Sequence, residues 1–119
     1  MNVIKLSPLS ILLKEVFKKR YGYIYLQGNF PWDKDSLGLI FETDVYDDVL
    51  LEDINPELIK TKRLTRVMQI SRAEDAIRNA FMQKNDVTRD ELVACFNNHY
   101  ENDGYLDLSE YRNSRSEDT

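Results

Sequence analysis

The chain is predicted to fold as one small α+β domain. Apolar residues recur at helical spacing near both ends, whereas the middle carries short β-rich runs that are typical of strands. The predicted order is an N-terminal helix, a small antiparallel sheet of about three strands, an antiparallel helical hairpin packed on the sheet, and a short C-terminal strand or tail. With 119 residues, the chain has the length of a single domain. We expect residues 1–110 to form it and residues 111–119 to form a flexible polar tail.

The first helix is predicted to begin at Ser7-Pro8. Serine is a favoured helix cap, and proline at the first helical position loses no hydrogen bond. The helical pattern then continues to about Arg20, with apolar residues on one side. The stripe that we expect to face the core consists of Leu9, Leu12, Leu13, Val16 and Phe17.

Three runs are predicted to form the sheet. Tyr23–Gln27 alternates, which places its isoleucine and leucine on one face and its tyrosines on the other, as in a half-buried strand. Leu37–Phe41 follows a turn-rich connection, so the two runs are expected to form an antiparallel hairpin. Trp32 in this connection is expected to fold back onto the sheet. Leu64–Ile70 alternates again and supplies the third strand.

Residues 42–61 separate the second and third strands and are predicted to form a long loop. Val49–Leu51 is the apolar stretch that could pin this loop to the core, and Pro56 is expected to open at most one helical turn. Long ordered loops often carry function. The segment is therefore a candidate for the functional part of the molecule.

Two capping boxes, Ser71 with Glu74 and Thr88 with Glu91, predict the starts of two helices. In such a box the hydroxyl accepts from the backbone three residues on, and the glutamate reaches back to the backbone of the cap. The helices are expected to pack as an antiparallel hairpin against the sheet. The residues predicted to face the core are Ala73, Ala76, Ile77, Ala80 and Phe81 in the first helix, and Leu92, Val93, Phe96 and Tyr100 in the second.

Several functional classes are disfavoured by composition. The longest apolar run, Leu92–Phe96, is far shorter than the ~20 residues of a membrane span. The N-terminus does not have the pattern of a secretory signal, so we expect a cytoplasmic protein. Cys95 is the single cysteine and is interpreted as a buried apolar residue. Since no nucleophile motif or phosphate loop is present, we expect neither an enzyme nor a cofactor.

Charge is segregated along the chain. Residues 42–57 contain seven acids and no base, residues 60–72 contain five bases and no acid, and residues 101–119 contain six acids and two arginines. With a net charge of −5, this arrangement makes nucleic acid an improbable ligand and favours a basic protein partner. An alternative is that the acids only keep a loop soluble. The predicted partner-binding residues are Asp44, Asp47, Asp48, Glu52 and Asp53, followed by Glu101, Asp103 and Asp107.

Residues 99–110 resemble a calcium-binding loop of twelve residues. Asp103, Gly104, Asp107 and Glu110 stand at its fifth, sixth, ninth and twelfth positions, as that site requires. His99 stands at the first position, where nitrogen is a poor ligand for a hard cation. The stretch is therefore interpreted as a helix-ending turn that leads into a short strand, with calcium binding kept as a minor alternative and no metal ligand assigned.

The segment Val67–Leu108 resembles the C-terminal half of a family of small acidic bacterial proteins. The shared pattern is a helix, Gln-Lys before Pro or Asn, Val-Thr, a helix with paired aromatic residues, and Asn-Asp before a small and an aromatic residue. Here Gln83–Asn85, Val87–Thr88 and Asn102–Tyr105 carry it. The chain departs from the family in having Asn85 in place of the usual proline and glycine in place of a common alanine before Tyr105.

Some members of that family are immunity proteins of contact-dependent growth inhibition systems. The resemblance implies a protein that binds the C-terminal domain of a cognate toxin and neutralises it. Nuclease toxins bind polyanions and tend to be basic, so an acidic surface suits them and hastens association. The alternative is a non-enzymatic interaction or regulatory module without a toxin partner. Oligomeric state is left open by the sequence.

Overall fold

A computed structural model describes residues 5–44, 46 and 49–111, and the α+β prediction is confirmed by it. The strands are β1 (Ser7–Pro8), β2 (Gly22–Gln27), β3 (Leu37–Glu42) and β4 (Leu64–Gln69). They form one four-stranded antiparallel sheet with the order β1-β3-β2-β4. The hairpin predicted from the sequence, formed by β2 and β3, lies at the centre of this sheet.

In the described part of the chain, helices lie between β1 and β2, between β3 and β4, and after β4. None of those in the described ranges is long and apolar enough to cross a membrane. A 3₁₀ turn, Val16–Lys18, extends the first helix, and residues 108–111 form a last helical turn. The helices are α1 (Leu9–Glu15), α2 (Leu51–Ile54), α3 (Pro56–Lys62), α4 (Ile70–Gln83) and α5 (Arg89–Asn102).

The main core lies on one face of the sheet, called the first face, which carries Ile24, Leu26 and Met68. Helices α1, α4 and α5 cover it. Trp32 folds back into this core as predicted, is 5% exposed and meets Phe96 edge to face at 6.1 Å between ring centroids. The stripe predicted for α1 is buried here, apart from its last member.

The helical hairpin is confirmed, with the two ends of α4 meeting opposite ends of α5. At one end Thr88 and Glu91 form the predicted capping box, with N···O distances of 2.8 and 3.1 Å. Lys84 closes this end by pairing with Glu91 at 3.0 Å. At the other end Arg72 reaches Asp103 at 3.0 Å. These pairs fix the antiparallel arrangement of α4 and α5.

The capping box predicted at Ser71 is wrong. Helix α4 begins at Ile70, before the predicted cap residue. Its N-cap is Gln69, whose side chain forms no capping hydrogen bond. Gln69 is still paired with Tyr23 in the sheet, and Ile70 is 1% exposed. Burial of Ile70 therefore starts the helix directly at the end of β4. Glu74 pairs with Arg78 along the helix at 3.2 Å instead.

The cap predicted at Ser7 is also wrong. Ser7 and Pro8 pair with β3, and Pro8 is the N-cap of α1 without a side-chain cap. Backbone carbonyls replace the hydroxyl, because the N–H of Leu9 donates to Ser36 at 2.7 Å and the next N–H donates to Lys34 at 3.1 Å. The connection between β2 and β3 thus satisfies the donors that open a helix.

Three predicted core residues are partly exposed. Phe17 and Phe81 are each 43% exposed and Tyr100 is 41% exposed. Each lies at the margin of its apolar stripe, where the neighbouring helix no longer covers it. Phe17 is approached by the guanidinium of Arg78 at 5.4 Å from the ring centroid, and Tyr100 stacks on Phe30 at 5.4 Å. Helical spacing alone does not distinguish residues at the margin of a stripe from those at its centre, so it predicts that both are buried.

The loop predicted between β3 and β4 contains two helices. Leu51 is 5% exposed and anchors α2, as expected for the apolar stretch 49–51. Pro56 begins α3, which runs to Lys62 and is longer than the predicted single turn. Asn55 caps α3 by accepting from the N–H of Leu58 at 3.2 Å. Both helices lie against the second face of the sheet, which carries Tyr23, Tyr25 and Leu39.

The short strand predicted after α5 is absent from the described part of the chain. Asp103, rather than Gly104, takes the left-handed conformation that ends α5, with φ of 53°. Leu108 is 1% exposed and begins a helical turn that includes Tyr111. Gln83 holds this segment, because its side chain accepts from the N–H of Leu108 at 2.9 Å. Of the predicted tail, residues 112–119 lie outside the described residues.

Candidate protein-binding surface

The acidic segment leads from β3 into α2, at the border of the second face. Asp44 and Asp53 are exposed, and Asp44 accepts from the N–H of Tyr46 at 2.8 Å. Glu57, in the first turn of α3, is exposed as well. The predicted residues Asp47 and Asp48 lie outside the described residues. No ion pair is found for Asp44, Asp53 or Glu57 within the described ranges, so their charges face solvent.

Glu52 differs from these exposed acids, because its carboxylate has hydrogen-bond and ion-pair partners within the fold. Its carboxylate accepts a short hydrogen bond from the hydroxyl of Tyr25 and lies 3.5 Å from Arg66. The same hydroxyl accepts from the backbone N–H of Leu51 at 3.1 Å. Burial, followed by the bond to Glu52, raises the pKa of Tyr25 well above its usual range. Glu52 therefore fastens α2 to the sheet and is a weaker candidate for partner binding than Asp44 or Asp53.

Two large apolar side chains are exposed beside these acids. Tyr46 is 93% exposed and Ile54 is 59% exposed. Both stand at helical spacing from the apolar stretch 49–51, Tyr46 before it and Ile54 after it, so periodicity groups them with that stretch and does not mark them as exposed. The acids on either side of each residue are the signal that could have indicated an exposed position.

A cleft of about 440 Å³ opens between β3 and the α2–α3 segment. Leu39 and Phe41 form its sheet side, Leu51 and Leu58 form its helix side, and Ile54 stands beside them. Lys5 is the basic residue at its border. The cleft is thus apolar inside, and exposed acids occur in the segments that lead into α2 and α3.

The second predicted acidic region is at the far end of α5. Asp103 is paired with Arg72 at 3.0 Å, although its side chain is 82% exposed. Asp107 accepts from the hydroxyl of Ser109 at 2.7 Å and from its N–H at 3.0 Å, and these bonds lower the pKa of Asp107. Glu101 is exposed on α5. The cleft that Asp103 lines, of about 760 Å³, is formed mainly by charged and polar side chains, those of Arg72, Asp75 and His99, together with Tyr105.

The residues of the calcium-like loop have other partners. His99 lies inside α5, is 7% exposed, stacks on Tyr105 and has Nδ1 at 3.3 Å from the carbonyl oxygen of Gly104. The side chains of Asp103 and Asp107 are bound as described above. Within residues 5–44, 46 and 49–111, no group of three or more His, Cys, Asp or Glu is placed to hold a metal ion.

Cys95 is buried, as predicted, and is 3% exposed. Burial raises the pKa of its thiol to about 11, with a smaller contribution from the charge of Glu91. A thiol with such a pKa is almost entirely protonated at neutral pH, and the thiolate is the reactive form. Cys95 is therefore a packing residue of α5.

Similarity to known proteins identifies the family of the chain. No curated protein and no solved structure is significantly similar to it. Residues 6–108 match the family described as "Domain of unknown function (DUF7716)". The match begins before β1 and ends in the last helical turn, and it therefore includes the sheet, both sets of helices and the cleft. The chain belongs to the DUF7716 family.

Proposed function

We propose that this protein is a non-enzymatic immunity protein that binds a basic toxin domain in the cytoplasm and neutralises it. The observation that carries the proposal is that two exposed apolar side chains, Tyr46 and Ile54, lie on the same segment as Asp44 and Asp53, for which no ion pair is found within the described residues. Protein interfaces have an apolar centre and a polar rim, and tyrosine is among the residues that contribute most to binding. The segment that enters α2 carries both exposed apolar side chains, as in the centre of an interface, and exposed acids, as in its rim.

The charges support a basic partner. Asp44, Asp53 and Glu57 are exposed, and an uncompensated set of like charges adds self-repulsion without contributing to folding. A partner rich in lysine and arginine removes this repulsion and is attracted from a distance. Such steering raises association rates by roughly 10–10³-fold at low ionic strength. A toxin that acts on nucleic acid has the required charge.

The same surface would serve an interaction module that has no toxin partner. An apolar cleft beside a segment with exposed acids specifies the chemistry of the bound surface rather than the activity of the protein that carries it. The two functions separate in cells, because only an immunity protein protects a cell in which the toxin domain is expressed.

The experiment uses the toxin domain that the proposal requires, which is sought among the genes that neighbour the gene of this protein. The double variant D44N/D53N is compared with E101Q/D107N, which removes the same charge from the second acidic region. We expect D44N/D53N to lower the association rate about tenfold at low salt and to flatten its salt dependence. We expect E101Q/D107N to change the rate by less than about twofold, because its charges lie away from the cleft.

Protection of toxin-expressing cells is measured with the same variants. Loss of binding in E101Q/D107N with retention in D44N/D53N would move the interface to the end of α5. Binding without protection would favour the interaction module. Absence of any binding between the wild-type chain and the neighbouring toxin domain would overturn the proposed function.

A further inference from the structure

A polar cleft of about 760 Å³, which we call the α4–α5 cleft, lies between the start of α4 and the end of α5. Arg72 and Asp75 are three residues apart on α4, and His99 and Asp103 are four apart on α5. Residues at these spacings are neighbours on one side of a helix. The helical hairpin thus brings two pairs of polar side chains to one place, and Tyr105 completes the lining.

His99 is the buried member of this set. Its side chain is 7% exposed, and its ring stacks on Tyr105 with 5.5 Å between the centroids. Nδ1 lies 3.3 Å from the carbonyl oxygen of Gly104. A carbonyl oxygen can only accept, so Nδ1 carries the hydrogen of the neutral ring and Nε2 is an acceptor.

This acceptor of His99 faces the α4–α5 cleft. No described residue donates to Nε2. Among the described residues, no side-chain nitrogen or oxygen that is fully buried lacks a hydrogen-bond partner. Nε2 is therefore not fully buried, and the surface that His99 shares with its neighbours is the lining of this cleft. An otherwise buried ring presents one unsatisfied acceptor there.

The charges of the α4–α5 cleft are predominantly negative. Nη2 of Arg72 donates to Asp103 at 3.0 Å and to the carbonyl oxygen of His99 at 3.2 Å, so this guanidinium joins the two helices. Asp75 is exposed and has no ion pair within the described residues. The side chain of Asp103 is 82% exposed, and Arg72 contacts one of its two oxygens. One base thus faces two carboxylates, and Asp75, Asp103 and His99 all offer acceptors.

This arrangement selects a cation that carries several N–H groups. Two carboxylates and an unprotonated Nε2 disfavour an anion, because repulsion is added and His99 supplies no donor. An ammonium is a compact point charge, whereas a guanidinium is planar, always charged and carries five N–H groups in a fixed fork. A guanidinium can therefore reach an imidazole nitrogen and a carboxylate at the same time.

We propose that the α4–α5 cleft binds a guanidinium group, which donates to Nε2 of His99 and to the carboxylate of Asp75. The ligand is arginine, either as the free amino acid or as a side chain of a protein. The proposal goes beyond the proposed function and does not depend on it, because none of these residues belongs to the segment that enters α2.

The test uses the full-length chain labelled with ¹⁵N in its histidine, and the probe is N-acetyl-L-arginine amide. His99 is the single histidine, so its two ring nitrogens give unambiguous signals in nuclear magnetic resonance. We expect the free chain to carry the hydrogen on Nδ1. Saturating probe at millimolar concentration should move the Nε2 signal by several parts per million and leave the Nδ1 signal nearly unchanged.

Related compounds separate the contributions of charge and shape. N-acetyl-L-citrulline amide has the shape of the probe without its charge, and it should bind about tenfold more weakly, because hydrogen bonds to charged groups are the stronger ones. N-acetyl-L-lysine amide keeps the charge without the fork and should also bind more weakly. Tighter binding of free L-arginine than of the probe would identify the amino acid as the ligand, whereas equal or weaker binding would identify an arginine side chain.

The variant Asp75→Asn is compared with Glu101→Gln. Both residues are exposed and each substitution removes one negative charge, but Glu101 lies outside the lining of the α4–α5 cleft. We expect Asp75→Asn to weaken probe binding by about fivefold, as for loss of a surface ion pair. Glu101→Gln should change it by less than about twofold, because its charge is separated from the cleft by solvent.

Several results would overturn the proposal. A hydrogen on Nε2 in the free chain would remove the acceptor, and the absence of a saturable change at Nε2 would mean that the probe does not bind there. Equal binding of the citrulline compound, or equal weakening by Glu101→Gln, would show that the cleft does not recognise the guanidinium. None of these results concerns the toxin domain, whose binding decides the proposed function separately.

Discussion

On the first face of the sheet, α1, α4 and α5 meet over side chains that are almost completely buried, Phe96 and Ile24 among them. On the second face, α2 and α3 cover a smaller group around Tyr25, Leu51 and Leu64, and a cleft remains beside them. Free energy of folding from apolar burial is therefore concentrated on the first face. The second face is less completely covered. Its accessible surface is where exposed apolar and acidic side chains occur together.

The largest expected effect is on the first face. Phe96→Ala should lower the free energy of unfolding by about 3–5 kcal/mol, because Phe96 is 0% exposed and packs against Trp32. Phe81→Ala is the matched control and should cost less than about 1 kcal/mol, since Phe81 is 43% exposed. Urea denaturation measures both. Equal losses would show that burial on the first face is not what stabilises the fold.

The second prediction concerns the strand that both faces share. A Cβ added to Gly38 would lie 2.0 Å from the backbone oxygen of Tyr25, so Gly38→Ala must displace β2 or β3. We expect a loss of about 1–3 kcal/mol, as for other overpacked sites. Gly104→Ala is the control, because its nearest contact would be 3.8 Å away. Thermal unfolding that ranks the two variants in the reverse order would contradict the sheet register.

The attachment of α2 to the second face can be tested through Tyr25. Tyr25→Phe removes the hydroxyl that donates to Glu52 and accepts from Leu51, and it should cost about 1–2 kcal/mol at neutral pH. Hydrogen exchange should accelerate in α2 and not in α5. Unchanged exchange in α2 would mean that Leu51 alone holds the helix.

The same residue makes a prediction about pH. Burial and the bond to Glu52 raise the pKa of Tyr25 in the folded chain above its ordinary value of 10.0. The stabilising contribution is therefore complete below pH 10 and is lost as the pH rises from there toward the folded pKa. Wild type should lose its advantage over Tyr25→Phe in this alkaline range, as measured by denaturation at a series of pH values. A constant difference between the two proteins would show that the hydroxyl is not protected by the fold.

The smallest expected effect on stability is at the exposed part of the second face. Ile54→Ala should change the free energy of unfolding by less than about 0.5 kcal/mol, because Ile54 is 59% exposed. Binding of the Ile54→Ala variant to the toxin domain should nevertheless fall. Met82→Ala, at a residue of α4 that is 79% exposed, is the control and should keep both stability and binding. Loss of stability in Ile54→Ala would mean that this residue belongs to the cover of the sheet rather than to its binding surface.

The fold class and the positions of most elements could be predicted from the sequence. Periodicity identifies α1, β2, β3 and β4 because apolar residues at helical or strand spacing can only be buried together on one side. The capping box at Thr88 is equally readable, since its hydrogen bonds are formed by residues three apart in the same segment. The burial of Trp32 and Cys95 could be predicted as well, because exposing a large aromatic ring or ionising a thiol inside the core costs free energy.

Which surfaces are covered depends on tertiary contacts that no local pattern in the sequence shows. Strand pairing and burial of Ile70 overrode the local signals at Ser7 and Ser71, because an interaction within four residues is weaker than placement of a core residue. Glu52 belongs to the same acidic run as Asp53, and only the approach of Tyr25 and Arg66 from the sheet separates a fastening group from an exposed one. Within the described residues β1 pairs with β3 at Ser7 and Pro8, and no local pattern in β3 records the length of this neighbour.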